Sequence, residues 1–306
     1  MHHRKLGKTG IMVSEVGMGC NRLGESNHPD EHWIGLVKKA ADLGVTVFDT
    51  SESYGRGRSE EMLGHALGNR DDIYIATKMS SWDGANGRDY SAARMMKAVE
   101  DSLKRLQRDH IDIYQLHSPR RQDMETSDWA EGMARLKKQG KIRFSAVAVN
   151  SSADGIWLME QDLVEALQIT YNIFETDAER SLFDMAGKNG IGLLCRMPLA
   201  RGVLTGKFHP GQEVPRGYRA HLDGQRAVER IRMIEDLRPI ATEYEGGMTR
   251  MALHFSLTPQ AISAIIPGAR TVEQLEENVA ASNGIGLPDN ICGKIDRVRV
   301  SWSLKV

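Results

Sequence analysis

Four side chains that can hold or pass a proton, Asp49, Tyr54, Lys78 and His117, stand at the ends of three successive strand-like runs. The first run, around Val45, Val47 and Phe48, is β-branched and aromatic, follows Gly44 and breaks at Ser51 to Ser53. Asp49 therefore closes a strand, and Tyr54 lies just beyond it. Lys78 ends the run I-Y-I-A-T-K, and His117 ends I-D-I-Y-Q-L-H. A carboxylate placed where it will be buried needs a partner, and a carboxylate, an ammonium, a phenol and an imidazole together are groups that exchange protons. Parallel strands deliver their C-terminal ends to one face, the face on which α/β proteins keep their sites. Singly, each residue has a plainer reading as an ion pair, a capping imidazole or a half-buried loop phenol. Jointly they mark a candidate site.

The elements that must position these residues can be traced along the chain. The opening reads as a hairpin around Lys8, Thr9 and Gly10, followed by a strand near Val16 to Cys20. Trp33, Leu36, Val37, Ala40 and Ala41 recur at helical spacing, with Gly44 where a C-terminal cap belongs. After the strand to Asp49, a helix is predicted from about Ser59 to Leu67. Beyond the strand to Lys78, Ala92, Met95, Val99, Leu103 and Leu106 form one apolar stripe on a second helix. The alternation continues with the strand to His117, a helix over Trp129 to Lys138 closed by Gly140, and a strand from Ile142 to Val149. A helix near Ile156 to Glu160, a strand over Ala166 to Thr170, a helix near Glu179 to Lys188 and a strand from Ile191 to Cys195 come next. A long loop then runs from Pro198 to Gln225. Helical stretches over Val228 to Tyr244 and Thr249 to Ser256, a strand Ile262 to Ile266, a helix from Thr271 and a last helix near Asn290 to Val298 complete the chain.

Eight strands alternating with helices, without a break in composition, predict a single (β/α)8 TIM barrel over residues 1–306, with an N-terminal β-hairpin and extra C-terminal helices. An open doubly wound sheet is the weaker alternative. G-x-G-x-x-G is absent, and Gly17-Met18-Gly19 runs into Asn21 and Arg22 where a third glycine belongs.

Composition narrows the function classes. The chain has 306 residues, 41% hydrophobic and 26% charged, with a net charge of −1, so neither a nucleic-acid footprint nor a basic membrane patch is expected. No run reaches the ~18 apolar residues of a membrane span. Cys20, Cys195 and Cys292 are few and far apart, which suggests no disulfide framework and no zinc set, and points to a reducing cytoplasm. No metal is expected.

The last strand runs into Pro267-Gly268-Ala269-Arg270-Thr271-Val272-Glu273-Gln274. Glycine admits close backbone approach, Arg270 offers a planar fork, and a helix opening at Thr271 presents free N–H groups, which together suit a phosphate. Thr271 and Gln274 also fit a capping box, and one helix end can do both.

The segments F-D-T-S-E-S-Y-G, A-T-K, Y-Q-L-H, the Y-N after Gln168, P-L-A-R-G-V-L-T-G-K and I-I-P-G-A-R together resemble the aldo-keto reductase family. The likeness runs from K-L-G-K-T-G to E-Q-L-E-E-N, essentially the whole chain. It implies that Asp49, Tyr54, Lys78 and His117 are a catalytic tetrad for reducing aldehydes or ketones of small molecules with NADPH. Asn150 and Gln168 would hold the nicotinamide carboxamide, and Arg196 would pack on the ring. Leu199 and Gly202 would follow the pyrophosphate, and Gly268, Arg270, Gln274 and Asn278 the adenosine end. Asn21 and Trp82 would contact the substrate. On this reading Tyr54 is the general acid, Lys78 lowers its pKa, Asp49 orients Lys78, and His117 assists at the substrate oxygen. The family's G-V-S is replaced by Ala146-Val147-Ala148, so Ala148 lacks a hydroxyl for the carboxamide. Two other readings stay open: a slow-turnover nicotinamide-binding sensor or accessory subunit, and a barrel lyase or isomerase using Lys78 as a Schiff-base amine.

Overall fold

The computed structural model describes residues 1–81, 88–212 and 224–303. Two short strands, β1 (His3–Lys5) and β2 (Met12–Ser14), pair antiparallel as the expected hairpin. Eight parallel strands follow: β3 (Met18–Gly19), β4 (Val47–Asp49), β5 (Tyr74–Met79), β6 (Ile111–His117), β7 (Ile142–Ala148), β8 (Ala166–Thr170), β9 (Gly192–Arg196) and β10 (Ile262–Ile265). Each pairs with the next in chain order. The two ends of the sheet meet: the Gly17 N–H donates to Ile265 O at 2.8 Å, Ile265 N–H to Glu15 O at 2.9 Å, and Gly19 N–H to Pro267 O at 2.9 Å. These bonds close the (β/α)8 barrel predicted from the alternation.

Side chains alternate across each strand, so every second residue points into the barrel. The lower interior is a cluster of Val47, Ala76, Ile113, Ala146, Ala166, Leu194 and Ala264. Leu6, Ile11 and Val13 of the hairpin pack into the same cluster and plug the barrel floor. Gly7 permits that approach, because at φ 52° a Cβ there would stand 2.3 Å from Gly190 O. Two residues further along five of the strands the interior turns polar, with Asp49 above Val47, Lys78 above Ala76, Gln115 above Ile113, Gln168 above Ala166 and Arg196 above Leu194, while β7 stays apolar at Ala148. The candidate site is thus the layer resting on this apolar floor.

Helices α1 (Asp30–Asp42), α2 (Arg58–Leu67), α3 (Ala92–Leu106), α4 (Arg121–Thr126), α5 (Trp129–Lys138), α6 (Ser152–Glu160) and α7 (Leu182–Asn189) follow the successive strands. α8 (Gly224–Glu243), α9 (Gly247–Leu257), α10 (Val272–Val279) and α11 (Asp289–Ser303) complete the chain. Trp33, Leu36, Val37 and Ala40 of α1 are buried, as their spacing predicts. Ser91 caps α3, its hydroxyl accepting from Arg94 N–H. Several elements differ from expectation, among them the helices expected from Ile156 and Val228, which begin four residues earlier at Ser152 and Gly224. The strand foreseen from Val16 keeps regular pairing only at Met18–Gly19, since Val16 contributes an isolated bridge to Ile265. α4 was not predicted: at six residues it is too short to show an apolar period, and it is held by Asp123 accepting from Arg120 N–H. The helix expected from Glu179 begins at Leu182, after a 3-10 turn over Asp177–Arg180. The long loop after Pro198 contains a 3-10 segment, Ala200–Thr205.

The plug makes a stability prediction. Leu6 is 0% exposed, so Leu6→Ala should lower unfolding free energy by about 2–5 kcal/mol through lost burial and a residual cavity. Urea unfolding checks this; an unchanged midpoint would mean the hairpin is not part of the core.

Candidate active site

Asp49 is nearly buried at the top of β4, and its two oxygens are fully used. Oδ2 accepts from Lys78 Nζ at 2.7 Å, and Oδ1 from Gln168 Nε2 at 2.6 Å and Gln115 Nε2 at 3.2 Å. Lys78 Nζ also donates to Thr50 O at 2.8 Å and lies 3.5 Å from Tyr54 Oη. Lys78 is 0% exposed. Burial works to lower the pKa of its ammonium, but Asp49 and Tyr54 outweigh it and the net direction is upward. A hydrogen-bonded amine whose pKa is raised is a poor Schiff-base nucleophile, which disfavours the lyase reading.

The loop after β4 is shaped to present Tyr54. Gly55, Arg56 and Gly57 all take positive φ, so the chain curls beneath the phenol. Glu52 anchors the loop: its N–H donates to Lys78 O at 3.2 Å, while its carboxylate accepts from Ser80 N–H at 2.8 Å and Arg94 Nη2 at 2.6 Å. Burial raises the Tyr54 pKa, with Lys78 opposing and Asp49 adding to it. The net is upward, against the lowering expected from an adjacent ammonium. The physical reason is that Asp49, bound to the same Nζ, cancels much of its field while the phenol loses solvation. Tyr54 therefore stands as a protonated donor at neutral pH.

His117 closes β6 edge-on to Tyr54, their ring centroids 5.6 Å apart. Its Nδ1 faces Ser51 Oγ at 3.1 Å, Ser80 Oγ at 3.2 Å and Ser53 Oγ at 3.5 Å. Burial, then the charges of Lys78 and Arg196, push its pKa down to about 3. The imidazole is neutral throughout the physiological range.

Other expected site residues divide. Gln168 joins the cluster from within the barrel, on Asp49. Arg196 spans the barrel mouth, its Nε donating to Thr170 Oγ1 at 3.0 Å, Nη1 to Ser118 Oγ at 3.1 Å and Nη2 to Val149 O at 2.9 Å. Asn150 is exposed, and its amide donates to Ser118 O and Pro119 O, tying the loops after β6 and β7 together. Asn21 lies over the β3–β10 seam, since a Cβ on Gly268 would stand 3.5 Å from its Oδ1. Trp82 lies outside the described residues.

The corner after β9 and β10 carries the residues expected to meet a phosphate. Met197, Ala200 and Arg201, with Gly202, take positive φ, an unusual run for side-chain-bearing residues, and the segment folds on itself, with Ala200 N–H donating to Met197 O at 2.9 Å and Gly202 N–H to Leu199 O at 2.8 Å. Gly268 is exposed, and no atom comes within 3.4 Å of where its Cβ would be. Gln274 Oε1 accepts from Arg270 N–H at 2.9 Å, Thr271 Oγ1 from Gln274 N–H at 3.3 Å, and Asn278 Nδ2 donates to Gly268 O at 3.2 Å. The capping reading of Thr271 thus holds, while Gln274 and Asn278 brace the glycine loop. Open backbone beside an arginine and a helix N-terminus fits a phosphate-bearing cofactor. Among the described residues, no group of three or more His, Cys, Asp or Glu side chains is placed to hold a metal.

Sequence reasoning missed Gln115, the three serines, and the Glu52–Arg94 pair. Gln115 was findable, because it precedes His117 by two and so shares its inward face. Arg94 lies off the apolar stripe of its helix, and nothing local announces a partner 42 residues earlier.

Comparison with known proteins agrees with this architecture. A profile described as the aldo/keto reductase family matches residues 15–299, and the chain belongs to that family. It is 32% identical to the Bacillus subtilis protein described as uncharacterized oxidoreductase YqkF, over 92% of each chain. Among solved structures, it is similar to the holo form of aldo-keto reductase AKR11C1 from Bacillus halodurans, with a TM-score of 0.82, 28% identity, and coverage of 97% of this chain and 96% of the other. The glycerol dehydrogenase AKR11B4 from Gluconobacter oxydans also gives 0.82, at 25% identity, covering 97% and 94%.

The depressed imidazole pKa has a direct readout. A group whose folded pKa falls to about 3 takes up no proton as pH drops through its ordinary value of 6.5. The NMR signals of His117 should therefore stay fixed between about pH 8 and 5. A titration near 6.5 would show that the ring is solvated.

Proposed function

We propose that this protein reduces aldehyde or ketone groups of small molecules with NADPH, using Tyr54 as the proton donor. The observation that carries the reading is the Lys78 ammonium, held by Asp49 at 2.7 Å and standing 3.5 Å from the Tyr54 hydroxyl. Membership of a reductase family supports it.

NADPH, when bound, would supply the hydride. The chain's own groups manage the substrate oxygen, where negative charge grows as a carbonyl becomes an alcohol. Tyr54 gives that oxygen its proton, and Lys78, already charged and fixed, stabilises the phenolate left behind. Asp49 keeps Lys78 oriented. His117, neutral and beside Tyr54, offers a second hydrogen bond to the same oxygen. Arg196 and Gln168 lie at the barrel mouth, where they would meet the nicotinamide; Ala148 offers that ring no hydroxyl. Leu199 and Gly202 would lie along the pyrophosphate, and Gly268 and Arg270 at the adenosine end, with Gln274 and Asn278 holding that loop in shape.

Tyr54→Phe should abolish carbonyl reduction while leaving NADPH affinity near wild type, measured by turnover on a carbonyl panel and by fluorescence titration. Retention of most of kcat would remove Tyr54 from the role. Lys78→Met should be comparably damaging, and an unchanged rate and pH profile would disprove the coupling.

Cofactor choice rests on Arg270. A charge-assisted hydrogen bond to a 2′-phosphate contributes about 1.5 to 3 kcal/mol, roughly 10- to 150-fold in affinity. Arg270→Met should weaken NADPH by about that factor and leave NADH nearly untouched. Equal losses for both cofactors would make Arg270 a structural or pyrophosphate residue.

A further inference from the structure

A neutral imidazole presents one nitrogen as donor and the other as acceptor, and what surrounds Nδ1 decides which nitrogen is which. The three serines do not offer equal terms. Ser51 is fully buried, and its single proton has a backbone acceptor in Lys78 O at 3.2 Å. Its lone pairs are approached by Ser53 N–H at 3.3 Å, and Ser53 Oγ lies 3.0 Å away. Ser80 differs. Its N–H is committed to Glu52, while its hydroxyl has no hydrogen-bond partner among the described residues except His117 Nδ1 at 3.2 Å. A Ser80 hydroxyl that gives its proton to Nδ1 leaves the proton of the ring on Nε2.

We infer that Ser80 is a positioning residue that fixes His117 in the Nε2–H form, so that the imidazole turns a donor, not a lone pair, away from the serines and toward the reacting oxygen. The inference rests on the proposed reduction only for what Nε2–H binds; the tautomer itself is a property of the protein alone. Without Ser80, the Ser51 lone pair becomes the best partner for Nδ1 and draws the ring proton to that side. The ring then faces the substrate oxygen with an acceptor, which repels the charge that develops there.

The experiment combines long-range ¹H–¹⁵N spectra of the ligand-free protein, with His117 assigned from a His117→Asn sample, and steady-state reduction of a carbonyl panel. Wild type should show His117 protonated on Nε2. Ser80→Ala should raise the Nδ1–H population and lower kcat about tenfold with KM changed by less than about twofold, the size of one neutral hydrogen bond. Ser80→Thr, which restores a hydroxyl, should recover both. Nδ1 protonation in wild type, or an unchanged tautomer in Ser80→Ala, would overturn the inference even if the enzyme reduces carbonyls normally. The expected tautomers with no reduction of any carbonyl would instead overturn the proposed reaction and leave the role of Ser80 standing.

Discussion

Taking a carboxylate and an ammonium out of water costs several kcal/mol for each ion, so the buried Asp49–Lys78 pair is tenable only with every remaining bond satisfied. The structure supplies partners from four strands and one loop: Gln115 and Gln168 donate to Asp49 Oδ1, and Thr50 O takes a Lys78 proton, while Gln115 Oε1 is left buried without a partner among the described residues. Had Gln115 or Gln168 been apolar, Asp49 Oδ1 would lack a donor inside the barrel. The pair therefore dictates residue types on β6 and β8 as well as on its own strands. It also explains why Tyr54 is not made more acidic. Two opposite charges at one point act on a third group mainly as a dipole, and desolvation then prevails.

That polar layer depends on what lies beneath it. Small residues at positions 76, 146, 166 and 264 leave the barrel interior wide, and the hairpin fills the remaining space with Leu6, Ile11 and Val13. An apolar floor excludes water from below, so the charged groups solvate one another and meet substrate only from above. On β4, β5, β6, β8 and β9 the apolar residue and the polar one two positions on follow the same alternation that aligns the site.

This alternation made the barrel legible. β4, β5 and β6 end in Asp49, Lys78 and His117, and the residue types suffice to mark a site without any long-range information. The floor plug was only half legible, since K-L-G-K-T-G reads as a turn but does not say where the hairpin docks. Illegible features were those made by residues remote in sequence, such as Arg94 on Glu52, or by backbone angles, such as the left-handed Met197, Ala200 and Arg201. A pKa direction was mistaken for a related reason. The sequence names the charges but not how deeply a phenol is buried or which counter-charge shares its neighbour.

The seam between β3 and β10 has a consequence for how the barrel is made. Gly17 bonds Ile265, 248 positions further along the chain, and Glu15, fully buried, accepts from Gly284 N–H, Ser282 Oγ and Arg4 Nε. Apart from the bond from Arg4, these contacts join segments that emerge far apart during synthesis, so they cannot form until β10 and the turn beyond it are present. Until then β3 and β9 are open edges of an unfinished sheet, with unpaired N–H and C=O groups available to other strands. Closure of this seam is therefore the late, non-local event that converts a row of β-α units into a cavity able to hold a charge.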